Sequence, residues 1–164
     1  MSVVDTEFLS KSRIEFEQAL GNFLRAFENT PDDRLNWSPS ATARTPIHLA
    51  AHIGLTIESM LGNARGDTFA VPTPAEAEAY FREFEQPFQS RQEVLDLIEK
   101  SRTNYLNWLA SVNEDDLDTL VGLPFGFPNV PRSVAINFMP QHVAWHTAQL
   151  HYIQTIYGDQ DWHL

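Results

Sequence analysis

Apolar residues recur at steps of three, four and seven in four long stretches of the chain, with polar residues between them. This spacing is typical of amphipathic α-helices, which bury one face and expose the other. The pattern predicts helices over about residues 5–28, 46–66, 90–111 and 132–157. In the first of them, the apolar positions are Leu9, Phe16, Leu20, Phe23, Leu24 and Phe27.

Capping residues mark the ends of these helices. Thr45 is a good N-cap, and Pro46 after it is tolerated at the first helical position. Ser90 and Glu93 form a Ser-x-x-Glu capping box at the start of the third long helix. Gly158 follows the last helix and is expected to end it.

The connection between the second and third long helices, residues 67–89, contains its own helical signal. Thr73 and Pro74 precede the run AEAEAYFREF, which predicts a short extra helix within a crossover. Leu120 to Phe127 would make a short hairpin. The pattern therefore predicts an all-α four-helix bundle with a long helix 2 to helix 3 connection carrying a short extra helix. We expect residues 1–164 to form a single domain.

Composition narrows the classes of function. Acidic residues outnumber basic ones 22 to 11, for a formal net charge of −11, so we expect no nucleic-acid partner. The chain has no cysteine, which excludes disulfides, thiolate metal sites and a cysteine nucleophile. There is no signal-peptide pattern at the N-terminus and no long apolar run, so we expect a cytoplasmic protein with no membrane partner.

Two histidine pairs have the spacing that places both imidazoles on one face of a helix: His48 with His52, and His142 with His146. A helical projection places the second pair in the middle of an apolar stripe, whereas His151 faces solvent. Buried imidazoles need partners, because an unsatisfied buried polar group costs about 1–3 kcal/mol. A metal ion would satisfy both, and so would hydrogen bonds within the core. The stripe of the last helix contains Phe138, Leu150, Ile153 and Ile156.

On the second helix, His52 borders the apolar face and His48 lies further out. The projection favours His52 as a ligand. His48 is then a hydrogen-bond partner of a ligand, an additional ligand, a general base close to the site, or an exposed residue. Polar residues on the same strip suit the wall of a pocket, although they would also suit the solvent boundary of the helix. The candidate pocket-lining residues are Thr56, Ser59, Asn63 and, on the last helix, Gln149.

Two arginines and one loop are candidates for contacts with a substrate. Arg44 and Arg132 would bind the carboxylates of an acidic thiol, or they are solvated surface residues. The loop of residues 122–131, which contains Phe125 and Phe127, packs against the end of the bundle or flanks the pocket. HExxH and Glu-x-x-His motifs are absent, so neither a zincin nor a carboxylate di-iron bundle is supported.

The last helix, MPQHVAWHTAQLHYIQTIYGD, resembles the C-terminal signature of the DinB-like (YfiT-like) superfamily, His-x-x-x-His-x-x-Gln-(Ile/Leu) followed by Gly. The segment LAAHIGLTIESMLGNARG is similar to the superfamily's Leu-x-x-His-(Ile/Leu) segment, and the loop LNWSP before it also resembles the superfamily. Ala148 stands where Gly is common, and His48 is an extra histidine. The matching residues of the last helix are His142, His146, Gln149, Leu150 and Gly158.

The resemblance implies a four-helix bundle that holds one divalent metal ion through His52, His142 and His146. Zinc is the expected ion, with nickel or iron as alternatives. Superfamily members include metal-dependent thiol transferases, among them a mycothiol-dependent isomerase. The resemblance therefore implies a homodimeric metal-dependent transferase or hydrolase that acts on a small-molecule substrate with a low-molecular-weight thiol. The alternatives are a non-catalytic metal- or ligand-binding bundle and a metal-free domain with core histidines.

Overall fold

The computed structural model describes residues 3–67 and 73–163, and most of these residues lie in five helices. The prediction of an all-α bundle with a short extra helix in the helix 2 to helix 3 connection is confirmed. The four long helices are α1 (Val3–Glu28), α2 (Pro46–Arg65), α4 (Arg91–Leu109) and α5 (Arg132–Ile156), and the short one is α3 (Pro74–Glu85).

The capping residues act as the sequence predicts. The hydroxyls of Thr45 and Thr73 each accept a hydrogen bond, at 3.2 Å, from the backbone N–H of the third residue of the helix, His48 in α2 and Glu76 in α3. Ser90 and Glu93 form a reciprocal capping box at the start of α4. These bonds satisfy backbone donors that have no partner within the helix, so each helix begins where its cap stands.

The core lies where α2 packs against α4 and α5, and where α1 packs against α5. Aromatic side chains fill part of it, since the rings of Phe16 and Tyr105 lie 4.5 Å apart. Gly54 allows α2 to approach α4 closely, because a Cβ there would lie 2.6 Å from Cγ of Leu97. The largest fully buried core side chains are Phe16, Leu20, Phe23, Phe27, Ile47, Leu49, Ile53, Ile57, Leu61, Ile98, Tyr105 and Ile136.

A short hairpin connects α4 to α5. Its strands β1 (Leu120–Val121) and β2 (Val130–Pro131) pair antiparallel. The predicted hairpin over 120–127 is therefore right in its first strand and wrong in its second. Prolines at 124 and 128 have no N–H for a ladder, and Phe125 and Gly126 have positive φ, so residues 122–129 form a loop. Among the described helices, none combines the length and hydropathy that a membrane span needs.

Candidate metal centre

Three histidines meet between α2 and α5. At one end of the bundle, Arg132 at the start of α5 donates a hydrogen bond to the carbonyl of Ala64 near the end of α2, so the two helices run antiparallel. Counted from this contact at 1.5 Å per residue, His52 lies about 18 Å along α2, and His142 and His146 lie about 15 and 21 Å along α5. Measured along the helix axes, His52 therefore lies between His142 and His146.

The three imidazoles form a compact cluster. One ligand nitrogen from each of His52, His142 and His146 lies within 4.8 Å of the others. The ring centroids are 4.5 Å apart for His142 and His146, 4.6 Å for His52 and His146, and 5.8 Å for His52 and His142. His52 and His146 are buried, and His142 is half-buried. The cluster therefore has one partly open side.

Hydrogen bonds at Nδ1 orient two of these rings. His52 Nδ1 lies 2.7 Å from Oε1 of Glu85, and His146 Nδ1 lies 2.8 Å from Oε1 of Gln149. An ionised carboxylate and an amide oxygen only accept hydrogen bonds, so each imidazole donates its Nδ1–H. In the neutral rings the lone pair is then on Nε2, the arrangement that metal-ligating histidines commonly show.

The separation of the two α5 histidines fits a shared ion. Nε2 of His142 and Nε2 of His146 are 3.1 Å apart. Two nitrogens at about 2.0–2.1 Å from one ion, with an angle of about 90–109° between them, would be about 2.8–3.4 Å apart. The donor set therefore fits a divalent ion that accepts imidazole, whereas a metal-free site would use the same distance for one N–H···N hydrogen bond.

The environment keeps these two imidazoles neutral. Burial, together with repulsion from His146 and His52, lowers the pKa of His142 to about 3. Burial and repulsion from His52 lower the pKa of His146 to about 4. Both rings are therefore uncharged near neutral pH, and their nitrogen lone pairs are available to a cation.

A line of charged groups extends from His52 to the surface. Glu85 accepts at Oε2 a hydrogen bond from Nε of Arg44 at 2.7 Å, and Nη2 of Arg44 donates to Glu78 at 2.9 Å. Arg82 also donates to Glu78, at 2.6 Å. Burial opposes ionisation of Glu85, but hydrogen bonds from His52 and Arg44 outweigh it and lower the pKa of Glu85. The carboxylate beside His52 is thus charged and fully paired.

A sequence model of the DinB superfamily matches residues 15–150. The chain belongs to the DinB superfamily. The matched range contains all three clustered histidines and reaches from α1 into α5 of this DinB-superfamily chain. A search of curated proteins finds no match to it.

Both arginines with proposed substrate roles have other partners in this DinB-superfamily chain. Arg44 is largely buried and neutralised by Glu85 and Glu78, so the expectation of a free or solvated guanidinium is wrong. Arg132 donates to the carbonyls of Ala64 and Asp116, at 2.9 and 3.3 Å, and ties the hairpin end of the bundle together. Neither guanidinium is a free anion site.

The projection of α5 needs one correction in this member of the DinB superfamily. His142 lies at the edge of the buried stripe rather than in its middle, and Phe138 and Ile156 are exposed. The exposed aromatic residues of α5 widen the apparent apolar stripe, whereas neighbouring helices cover only part of it. His151 lies outside the cluster and is half-buried rather than solvent-facing, with its ring 6.5 Å from that of His163.

The remaining candidates lie at different distances from the cluster in this DinB bundle. His48 lies one turn before His52, outside the three-histidine set, and its buried Nε2 has no hydrogen-bond partner among the described residues. The Thr56 hydroxyl donates to the backbone carbonyl of His52 at 2.7 Å, so its own helix uses it. Ser59 lines a cavity between α2 and α3. Gln149 contacts the cluster directly through His146.

Two residues of α3 that touch His52 were not predicted as part of the site in this DinB-superfamily chain. Glu85 bonds to Nδ1 of His52, and the ring of Phe81 lies 5.1 Å from the imidazole in an edge arrangement. The helical pattern of residues 74–84 predicted α3 but not where its faces would pack. Glu85 follows Ala77 and Phe81 at steps of four, and this spacing was the signal available in the sequence.

Proposed function

We propose that this chain binds one divalent metal ion, zinc first and nickel or iron as alternatives, through Nε2 of His52, His142 and His146. One observation carries the proposal: three imidazole nitrogens converge within 4.8 Å. The hydrogen bonds from His52 to Glu85 and from His146 to Gln149 support it, because they fix both rings with Nε2 available.

We further propose that the chain is a metal-dependent enzyme of the transferase or hydrolase class, with a low-molecular-weight thiol as cosubstrate. A divalent ion held by three protein ligands keeps a position for another group and lowers the pKa of a bound thiol or water. The chain has no cysteine, so the thiol must come from a second molecule. Phe81 would shield His52 from solvent, and Glu85 would hold the proton on its Nδ1.

Elemental analysis of untagged protein purified without added metal tests the site. We expect about one ion per chain in the parent protein and little in the His52→Ala and His142→Ala variants. His151→Ala is the matched control, since His151 is on α5 but outside the cluster. If the parent bound no ion after reconstitution with zinc, nickel or iron, the histidines would be core residues and the proposal would be wrong.

Turnover tests the enzymatic part. The metal-loaded protein is incubated with low-molecular-weight thiols and a panel of electrophiles, and product formation is compared with that of His142→Ala. Loss of turnover in the variant supports the enzyme. Metal uptake without turnover of any pair favours a non-catalytic metal-binding bundle instead. The homodimer and the cytoplasmic location stay predictions.

A further inference from the structure

An apolar cavity of about 150 Å³ lies between the β1–β2 loop, α2 and the first half of α5. The loop therefore does more than cover the end of the bundle. Leu123, Phe125 and Phe127 contribute from the loop, Met60 from α2 and Phe138 from α5. No charged side chain of the described residues lines this cavity.

The size and lining of the cavity indicate what it would hold. A cavity of about 150 Å³ with apolar walls is large enough for a benzene ring and binds it from water. A charged group placed there would lose its hydration without gaining a partner, which is costly. The cavity therefore fits one uncharged six-membered ring.

Among the described residues that line the cavity, Asn63 alone has a polar side chain. Its side chain is 7% exposed and lines this cavity as well as the neighbouring cavity of about 360 Å³ between α2 and α3. Its amide makes no hydrogen bond with another described residue. A hydroxyl or carbonyl on the ring would form a hydrogen bond with this amide, which can both donate and accept.

One lining residue of each cavity lies close to the histidine cluster. Phe138 precedes His142 by one helical turn, about 6 Å along α5. The ring of Trp145 lies 5.3 Å from Phe138 and 6.2 Å from His142. In the other cavity, Phe81 lies 5.1 Å from His52. The larger cavity therefore reaches the cluster at Phe81, and the apolar cavity extends toward it at Phe138, while Asn63 lies about 16 Å along α2 from His52.

We propose that the apolar cavity is the substrate pocket of this protein and binds an uncharged small molecule with one six-membered ring bearing a hydroxyl or carbonyl. The ring occupies the space between Phe125, Phe127 and Phe138, and Asn63 bonds the polar substituent. This assignment rests on the proposed function, because the reacting group of a substrate held in this pocket would extend past Phe138 to the metal site. It places neutral aromatic molecules, rather than acidic ones, among the first substrates to test.

Ligand-observed ¹⁹F NMR with fluorobenzene and 4-fluorophenol tests the pocket in metal-free and metal-loaded protein. We expect both probes to bind, and 4-fluorophenol to bind more tightly. Val134→Trp should abolish binding by filling the mouth of the cavity. Ile156→Trp is the matched control, since both residues are on α5 and both are 47% exposed. If neither probe bound the parent protein, or if the two tryptophan variants bound them equally, the proposal would be overturned.

Asn63→Leu tests the polar contact. The variant should weaken 4-fluorophenol about 3- to 10-fold and leave fluorobenzene unchanged, because a hydrogen bond contributes about that factor. A parallel loss of both probes would contradict the role of the amide. Ring binding in a protein that takes up no metal would keep the pocket and refute the metal-dependent function. Metal uptake without ring binding would do the reverse.

Discussion

The buried carboxylate of Glu85 joins His52 to Arg44, so removing its charge tests whether α3 helps to build the metal site. Its side chain is 2% exposed, and its two oxygens each lie 2.7 Å from a nitrogen, one of His52 and one of Arg44. Glu85→Gln keeps the size of the side chain and one oxygen that can accept from His52. It removes the negative charge and turns an NH₂ group toward a donor of Arg44.

The expected effect on zinc affinity follows from these contacts. Losing the partner of a metal-ligating histidine typically costs 10- to 100-fold in metal affinity. Glu85→Gln keeps one acceptor for His52, so we expect a loss of about tenfold, or about 1.4 kcal/mol. Glu85→Ala removes the acceptor and leaves Arg44 without its buried partner, so we expect about 100-fold.

Zinc affinity is measured by competition with a chromophoric chelator, with far-ultraviolet circular dichroism as a check that each variant folds. Glu78→Gln is the matched control, because Glu78 also accepts from Arg44 but is 45% exposed and touches no clustered histidine. We expect the control to bind zinc within about threefold of the parent protein, since exposed ion pairs contribute little. Zinc affinity of Glu85→Gln equal to that of the parent, or equal losses in Glu85→Gln and Glu78→Gln, would refute the orienting role of Glu85.

Two further predictions concern stability. The pKa values of His142 and His146, about 3 and about 4, lie below the unfolded value of about 6.5, so the unfolded chain binds more protons. The free energy of unfolding of the metal-free protein should therefore fall as the pH decreases from about 6.5 through these values. Urea titrations at about pH 7 and about pH 5 measure this fall, which should be smaller in His142→Gln than in the parent protein. Gly54→Ala should lower the free energy of unfolding by about 1–3 kcal/mol, because its Cβ would lie 2.6 Å from Leu97 Cγ. Gly62→Ala, whose Cβ would meet nothing closer than 3.6 Å, should raise it by up to about 1 kcal/mol, and equal urea midpoints would contradict the close approach.

The helices could be predicted because their signals are local. Periodic apolar residues and caps such as Thr45 and Ser90 act within one or two turns, so a linear reading finds them. The two histidine pairs, His48 with His52 and His142 with His146, could be found in the sequence for the same reason. The hairpin strand at 130–131 was missed, because strand partners depend on how the intervening loop folds back.

The partners of the histidines could not be predicted in the same way. Glu85 is 33 residues after His52, and no local pattern tells which face of α3 will pack on α2. Arg44 lies just before the cap of α2, where an arginine is ordinarily solvated. Its burial depends on Glu78 and Glu85, which α3 brings to it.

The docking of α3 on the bundle is better explained by the histidine site than by stability. The buried residues of α3 are Ala77, Phe81 and Glu85, and the last of these brings a charge into the interior. Replacing a buried ion pair by apolar residues is often neutral or stabilising, so a helix that only covered α2 would not need this carboxylate. An acceptor at Nδ1 of His52 does have a use if Nε2 binds a cation, because it fixes the tautomer and strengthens the ligand. The connection between α2 and α4 would then be part of the metal centre.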